Sequence, residues 1–181
     1  MLHRVRQKCG YHGDYWNAYG YADEEGKIVI SCDYDDVDPK FSEGLARVKN
    51  QNKIGFIDEN GNIVVPLVYD AAWHFSEGLA PVAKNKKWGF IDKDGNVVIP
   101  FIYDDTGVFS NELAKVKKDD NWGFIDKNGN VVIPFMYYWA YDFSKEKAKV
   151  EFYGETFYIN RQNVVLRKYQ HPLIEAIFKN S

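Results

Sequence analysis

The stretch KWGFIDKDGNVVIP occupies residues 87–100. Asp92 and Asp94 stand two residues apart before Gly95, beside Trp88 and ahead of a short apolar run closed by Pro100. Taken alone, it reads either as a small acidic loop able to hold a ligand or as one building unit of something larger. Its copies decide. IGFIDENGNIVVP covers 54–66 and WGFIDKNGNVVIP covers 122–134, so Pro66, Pro100 and Pro134 fall 34 residues apart. A second block keeps the same step: FSEGLARV, FSEGLAPV, FSNELAKV and FSKEKAKV begin at Phe41, Phe75, Phe109 and Phe143. A tyrosine follows three residues after each proline, at Tyr69, Tyr103 and Tyr137. A fixed period between about 20 and 50 residues marks a repeat architecture, whose units bury their apolar faces on one another.

Residues 75–108 serve as the type unit. In LAPVAK, Ala80 and Val82 alternate with Pro81, and the other copies keep the Ala and Val while the intervening position becomes Arg47, Lys115 or Lys149. Alternation predicts a half-buried strand, with the Ala/Val face inside and a basic face outside. WGFID predicts a second strand, with Gly89 admitting close backbone or aromatic packing. VVIP predicts a third, ended by a proline that cannot donate to a ladder. The Asp-x-Asp/Asn-Gly-Asn segment between them predicts a tight hairpin turn, since the glycine takes positive φ. A calcium loop of the EF-hand kind is the competing reading, but strand valines follow at once and no bidentate Glu closes the loop. The unit is therefore expected to be a three-stranded meander.

These residues resemble the bacterial WG repeat, also called the KWG repeat. The pattern is Trp-Gly-aromatic-Ile-Asp, a glycine turn, Val-Ile-Pro, Tyr-Asp, then Phe-Ser-Glu-Gly-Leu-Ala. KWGFIDKDGNVVIPFIYDDTGVFS carries most of it, and the resemblance extends over about 20–166. Ile54 replaces the Trp in one copy and Asn111-Glu112 replaces Glu-Gly in another. The resemblance implies β-rich repeats rather than a particular activity.

The expected fold is all-β: about five tandem units of 34 residues in an open twisted array, with a closed five-blade propeller-like ring as the alternative. Residues 1–18 are expected to form an N-terminal cap segment and 19–166 the array. The first and last units are worn, as end units facing water should be. Residues 167–181 are expected to form a C-terminal cap helix, with Pro172 in its first turn and Leu173, Ile174, Ile177 and Phe178 on one face.

Composition agrees with β structure, because aromatic residues make up 17% of the 181 and favour strands. A net charge of −3 argues against nucleic acid, whose binders carry basic patches. Cys9 and Cys32 are too few for a disulfide framework. The N-terminal MLHRVRQKCGYHG lacks the apolar core of an export signal, and no apolar run approaches the roughly 18 residues of a membrane span. The expectation is a cytoplasmic protein without a membrane partner or cofactor.

Chemistry-bearing candidates are mostly periodic. The Tyr-Asp pairs (Tyr34-Asp35, Tyr69-Asp70, Tyr103-Asp104) and the glutamates Glu43 and Glu77 recur with the unit, whereas enzymes gather unlike groups in one place. They read as turn and packing residues. Cys9, His12 and His3 supply half a metal site at most. No catalytic residue and no metal ligand is assigned. Function is sought where the copies differ. Trp73 and His74 interrupt the pattern in AWHF, and Tyr138, Trp139 and Tyr141 interrupt it in YYWAY. Aromatic residues dominate binding hot spots. The expected function is a non-enzymatic module that binds or scaffolds another protein through this variable surface. A carbohydrate or cell-wall-polymer binding module is the alternative, and a hydrolase the second.

Overall fold

The computed structural model describes residues 1–11 and 14–166, with backbone only for 8–11 and 14–16. The expected cap helix at 167–181 and His12 lie outside the described residues. Every element described is a strand, and no described helix is long and apolar enough to cross a membrane. Strands β1 (His3–Tyr11), β2 (Asp14–Ala22) and β3 (Ile28–Tyr34) form the first sheet. The second holds β4 (Asp36–Val37), β5 (Leu45–Asn50), β6 (Lys53–Asp58) and β7 (Ile63–Tyr69). The third holds β8 (Ala71–Ala72), β9 (Ala80–Lys84), β10 (Lys87–Ile91) and β11 (Val97–Tyr103). The fourth holds β12 (Asp105–Thr106), β13 (Ala114–Lys118), β14 (Asn121–Ile125) and β15 (Val131–Tyr137). The fifth holds β16 (Trp139–Ala140), β17 (Ala148–Phe152) and β18 (Glu155–Ile159). Strands adjacent in sequence pair antiparallel in order, so each sheet is a meander. The segment expected as an N-terminal cap supplies β1 and half of β2. The chain divides into two compact units, 1–101 and 102–181.

Three sequence expectations need correction. A full unit has four strands, because the residues after the Tyr position add a two-residue strand that pairs with the next, as in Ala71↔Ala83 and Ala72↔Val82. Two residues are too short to show periodicity. The prolines, moreover, do not end their strands. β7 runs through Pro66 to Tyr69, and its register on β6 jumps from Phe56↔Val65 to Ile54↔Tyr69. Two steps on β6 face four on β7, so Pro66 sits in a wide bulge, where no ladder donor is needed. The bulge folds over the Gly at the Trp-Gly position, which in this copy follows Ile54. A Cβ on Gly55 would lie against Val65 O, 2.8 Å from Pro66 C and 2.9 Å from Leu67 N. Gly89 and Gly123 meet Ile99 O and Ile133 O in the same way.

The third correction concerns burial. The middle strands are covered on both faces rather than one. In the first compact unit, Ala46, Val48 and Ile57 of the second sheet pack with Tyr21 and Ile30 of the first. Ile54, Phe56, Val65 and Tyr69 of that same second sheet pack with Phe75, Ala80, Val82 and Ile91 of the third. The neighbours Phe56 and Ile57 thus point into different cores, and both are wholly buried. The second compact unit repeats this, with Trp122, Phe124, Ile133 and Tyr137 packed on Phe143, Ala148, Val150 and Phe157. In two copies the Phe of the FS block stands edge-on to a Phe of the preceding sheet, and Phe41 packs tilted on Tyr21. The edge-on pairs are Phe56–Phe75 at 4.8 Å and Phe124–Phe143 at 4.9 Å, a geometry worth about 1 kcal/mol beyond area burial.

The second covered face also removes the solvated basic stripe expected at Arg47, Lys115 and Lys149. Arg47 pairs with Asp38 at 3.0 Å and donates to Ala72 O at 3.0 Å. Lys115 pairs with Asp142 at 3.6 Å, and Lys149 lies over the Tyr141 ring at 5.3 Å. Arg47 and Lys115 thus tie one sheet to the next, while Lys149 covers a ring beside its own strand.

The acidic turns are structural, as the hairpin reading requires. Asp92 Oδ1 accepts from the backbone N–H groups of Asp94 and Asn96, and Asp92 Oδ2 accepts from the Asn96 amide. Asp58 and Asp126 do the same in their copies. The asparagine amide, followed by these backbone donors, holds all three carboxyls below their usual range. Folded-state pKa values below the unfolded value of about 3.9 mean stability that is present above pH 4 and lost as pH falls through the lowered values. The urea midpoint is therefore expected to drop steadily from about pH 4 downward. Replacing Asp58, Asp92 and Asp126 together by Asn should flatten that drop.

Candidate functional site

The Asp of each Tyr-Asp pair has a defined task. Its carboxylate accepts the first N–H of the two-residue turn between the second and third strands of the next sheet. Asp35 takes Gln51 N at 2.8 Å, Asp70 takes Asn85 N at 2.9 Å and Asp104 takes Asp119 N at 3.1 Å. These turns have positive φ at both central residues, as at Asn85 and Lys86, so the acceptor steadies a conformation that L-residues resist. In the next copy Tyr138 replaces the Asp, and Tyr153 with Gly154 forms the turn. Tyr138 is 72% exposed and Tyr153 73%. The fold thus forgoes a capping carboxylate for two rings in water. Restoring it with Tyr138→Asp is expected to raise stability by about 1 kcal/mol, read as a higher urea midpoint.

Around these rings the second compact unit builds an aromatic face. Trp139, on β16 opposite Glu151, stands edge-on to Trp122 at 5.6 Å and to Tyr141 at 6.5 Å. Trp122 is 2% exposed and anchors the group, whereas Trp139 and Tyr141 are exposed. Lys115 Nζ lies 5.5 Å from the Trp122 ring centre and 6.0 Å from that of Trp139. Tyr138 separates two hollows. One, of about 430 Å³, is lined by Met136, Glu151, Phe152 and Tyr153. The other, of about 300 Å³, is lined by Asp105, Lys117, Asp120, Trp122 and Trp139.

Of the five residues singled out in the sequence, Tyr138, Trp139 and Tyr141 come together here. Trp73 and His74 are also exposed, but they belong to the other compact unit. Trp73 donates its N–H to Pro81 O at 3.0 Å, as Tyr141 does to Lys149 O at 2.9 Å, so the two occupy equivalent places in their copies. Sequence reasoning missed Tyr153. The signal was available, since the other copies carry Gln51, Asn85 and Asp119 at that turn position.

The groups with shifted acidity lie elsewhere. They are the turn carboxylates, together with Glu43, which burial pushes up but Lys93 and Gly78 N hold low overall, and the core tyrosines. Burial pushes the Tyr21 and Tyr137 hydroxyls up. Tyr21 donates to Asp38 O and Tyr137 to Asn163. Among the described residues no three of His, Cys, Asp and Glu gather as metal ligands. What the face offers chemically is ring area, two shallow hollows and a few charges.

Comparison with known families accounts for the repeating frame. The WG containing repeat matches residues 19–53, 54–88, 88–122 and 122–155. The chain belongs to the WG repeat family. The matches span most of the strands described, and the fourth match carries Trp122, Tyr138, Trp139, Tyr141 and Tyr153. No curated protein matches the chain. The matched spans contain the recurring glycine, proline, aspartate and phenylalanine positions of the WG unit in this chain. The aromatic face lies at positions where the copies of the WG unit differ.

Proposed function

We propose that the chain is a non-enzymatic WG repeat module that binds another protein through the aromatic face of its fourth repeat. The observation that carries this reading is the replacement of the turn-capping carboxylate by Tyr138, beside Tyr153. Sequences break their own local rules at functional sites, and exposed clustered rings mark interaction surfaces. The ring area and hollows suit anchor side chains of a protein segment, where a few buried contacts carry most of the affinity.

A carbohydrate-binding module would expose Trp or Tyr rings as a ladder at the 34-residue step. Trp122 is buried, Trp88 is half-buried and the first full copy has Ile54 instead. Trp139 and Tyr141 stand at 76° to each other, which is not a flat platform for a sugar chain.

The test compares the native chain with a Tyr138→Ala, Tyr153→Ala chain. Both rings are exposed, and Tyr153 loses only its edge contact with Phe152 at 4.6 Å, so stability should fall by no more than about 1 kcal/mol. A protein retained by the native chain from the cells that produce it should bind the variant at least tenfold more weakly. Equal retention by both chains would contradict the reading. Tryptophan fluorescence that shifts with polysaccharide in the native chain alone would move the site to the glycan class.

A further inference from the structure

We propose that the segment received at Tyr138 is cationic: an arginine or lysine side chain of the partner protein, flanked by apolar residues, seats against the Tyr138 ring. This rests on the reading of the fourth repeat as a protein-binding face. The chain shows the chemistry on its own rings. Arg4 lies 4.1 Å from the centre of Tyr19, Lys147 4.6 Å from Tyr158 and Lys149 5.3 Å from Tyr141, while Lys115 serves Trp122 and Trp139. An aromatic face attracts a cation, more strongly as water is excluded. Among the described residues no cation lies over Tyr138, although it is one of the most exposed rings.

The surrounding charge has the matching sign. The two hollows that meet at Tyr138 are lined by the carboxylates of Asp105, Asp120 and Glu151 and by the single ammonium of Lys117. Lys117 lies 3.5 Å from Asp120, so its charge is already engaged, and two negative charges remain. That pairing occupies Asp120, and Asp105 spends one oxygen on Thr106 N, which leaves Glu151 and the second oxygen of Asp105 to meet a guest. Glu151 sits in the hollow with Met136, Phe152 and Tyr153. That hollow can take the aliphatic stem of a long basic side chain and pair its charged end, as such side chains prefer. An acidic partner would meet repulsion in both hollows.

The test is a peptide-display selection on the full native chain, with counter-selection on the Tyr138→Ala chain. The expected winners carry arginine or lysine among apolar residues. A synthesised winner should bind more weakly as salt rises and at least tenfold more weakly to a Glu151→Gln, Asp105→Asn chain. Neutral or acidic winners, or equal binding to that charge variant, would overturn the cationic inference while leaving the aromatic face as the binding surface. A selection without any Tyr138-dependent peptide would overturn both. Winners that match this chain's own sequence would assign the face to a second copy of it and likewise overturn the proposal.

Discussion

Gly55→Ala is expected to destabilise the first compact unit by about 2 kcal/mol or more, read as a lower urea midpoint and lost amide protection along β6 and β7. The usual entropic argument gives the opposite sign. Gly55 does not need positive φ, and Gly→Ala at such a site stabilises by up to about 1 kcal/mol through the unfolded chain. Sterics outweigh this. The new Cβ would meet Val65 O, Pro66 C and Leu67 N, all backbone atoms inside 3.0 Å. None can swing away as a flexible side chain would, so the bulge itself must shift, at about 3 kcal/mol for overpacking. A midpoint equal to or above that of the native chain would show that the proline bulge does not press on this glycine. The same argument covers Gly89 and Gly123, which explains physically why a Gly follows Ile54, Trp88 and Trp122 alike.

The second large effect is expected from Phe124→Ala. Phe124 is wholly buried, in the core between the fourth and fifth sheets. Truncating a buried Phe costs about 3–5 kcal/mol through lost transfer energy and the cavity left behind. Its ring meets Phe143 at 78°, so part of that cost belongs to the pair. A double-mutant cycle with Phe143→Ala should return a coupling of about 1 kcal/mol. Strictly additive losses would mean that the two rings act only as separate apolar bulk.

Much of the frame could be read from the chain before its structure. The 34-residue step gave the repeat, Asp-x-Asp/Asn-Gly-Asn gave the hairpin, and Ala80 and Val82 gave an inward face that is wholly buried. The misreadings share one cause, which is that a single unit was read without its neighbours. Ala71-Ala72 looks like linker until β9 lies beside it. Pro100 looks like a strand end until the bulge over Gly89 makes its missing N–H harmless. Arg47 looks solvated until the next sheet offers Ala72 O. The functional face was partly legible for the converse reason. Tyr138, Trp139 and Tyr141 depart from what the copies share, whereas Tyr153 was overlooked because turns were assumed to be purely structural. Trp73 shares the place of Tyr141 in the repeat, but it and His74 lie in a different compact unit.

The most direct test places a photo-crosslinking amino acid at position 138 of the full chain, in the cells that produce it. The same residue at positions 70 and 104, where Asp70 and Asp104 occupy the equivalent places, provides the comparison. The expected result is one protein adduct at position 138 that neither comparison site yields and that Trp139→Ala removes. Equal adducts at all three positions, or adducts at 70 and 104 with none at 138, would contradict a binding face on the fourth repeat.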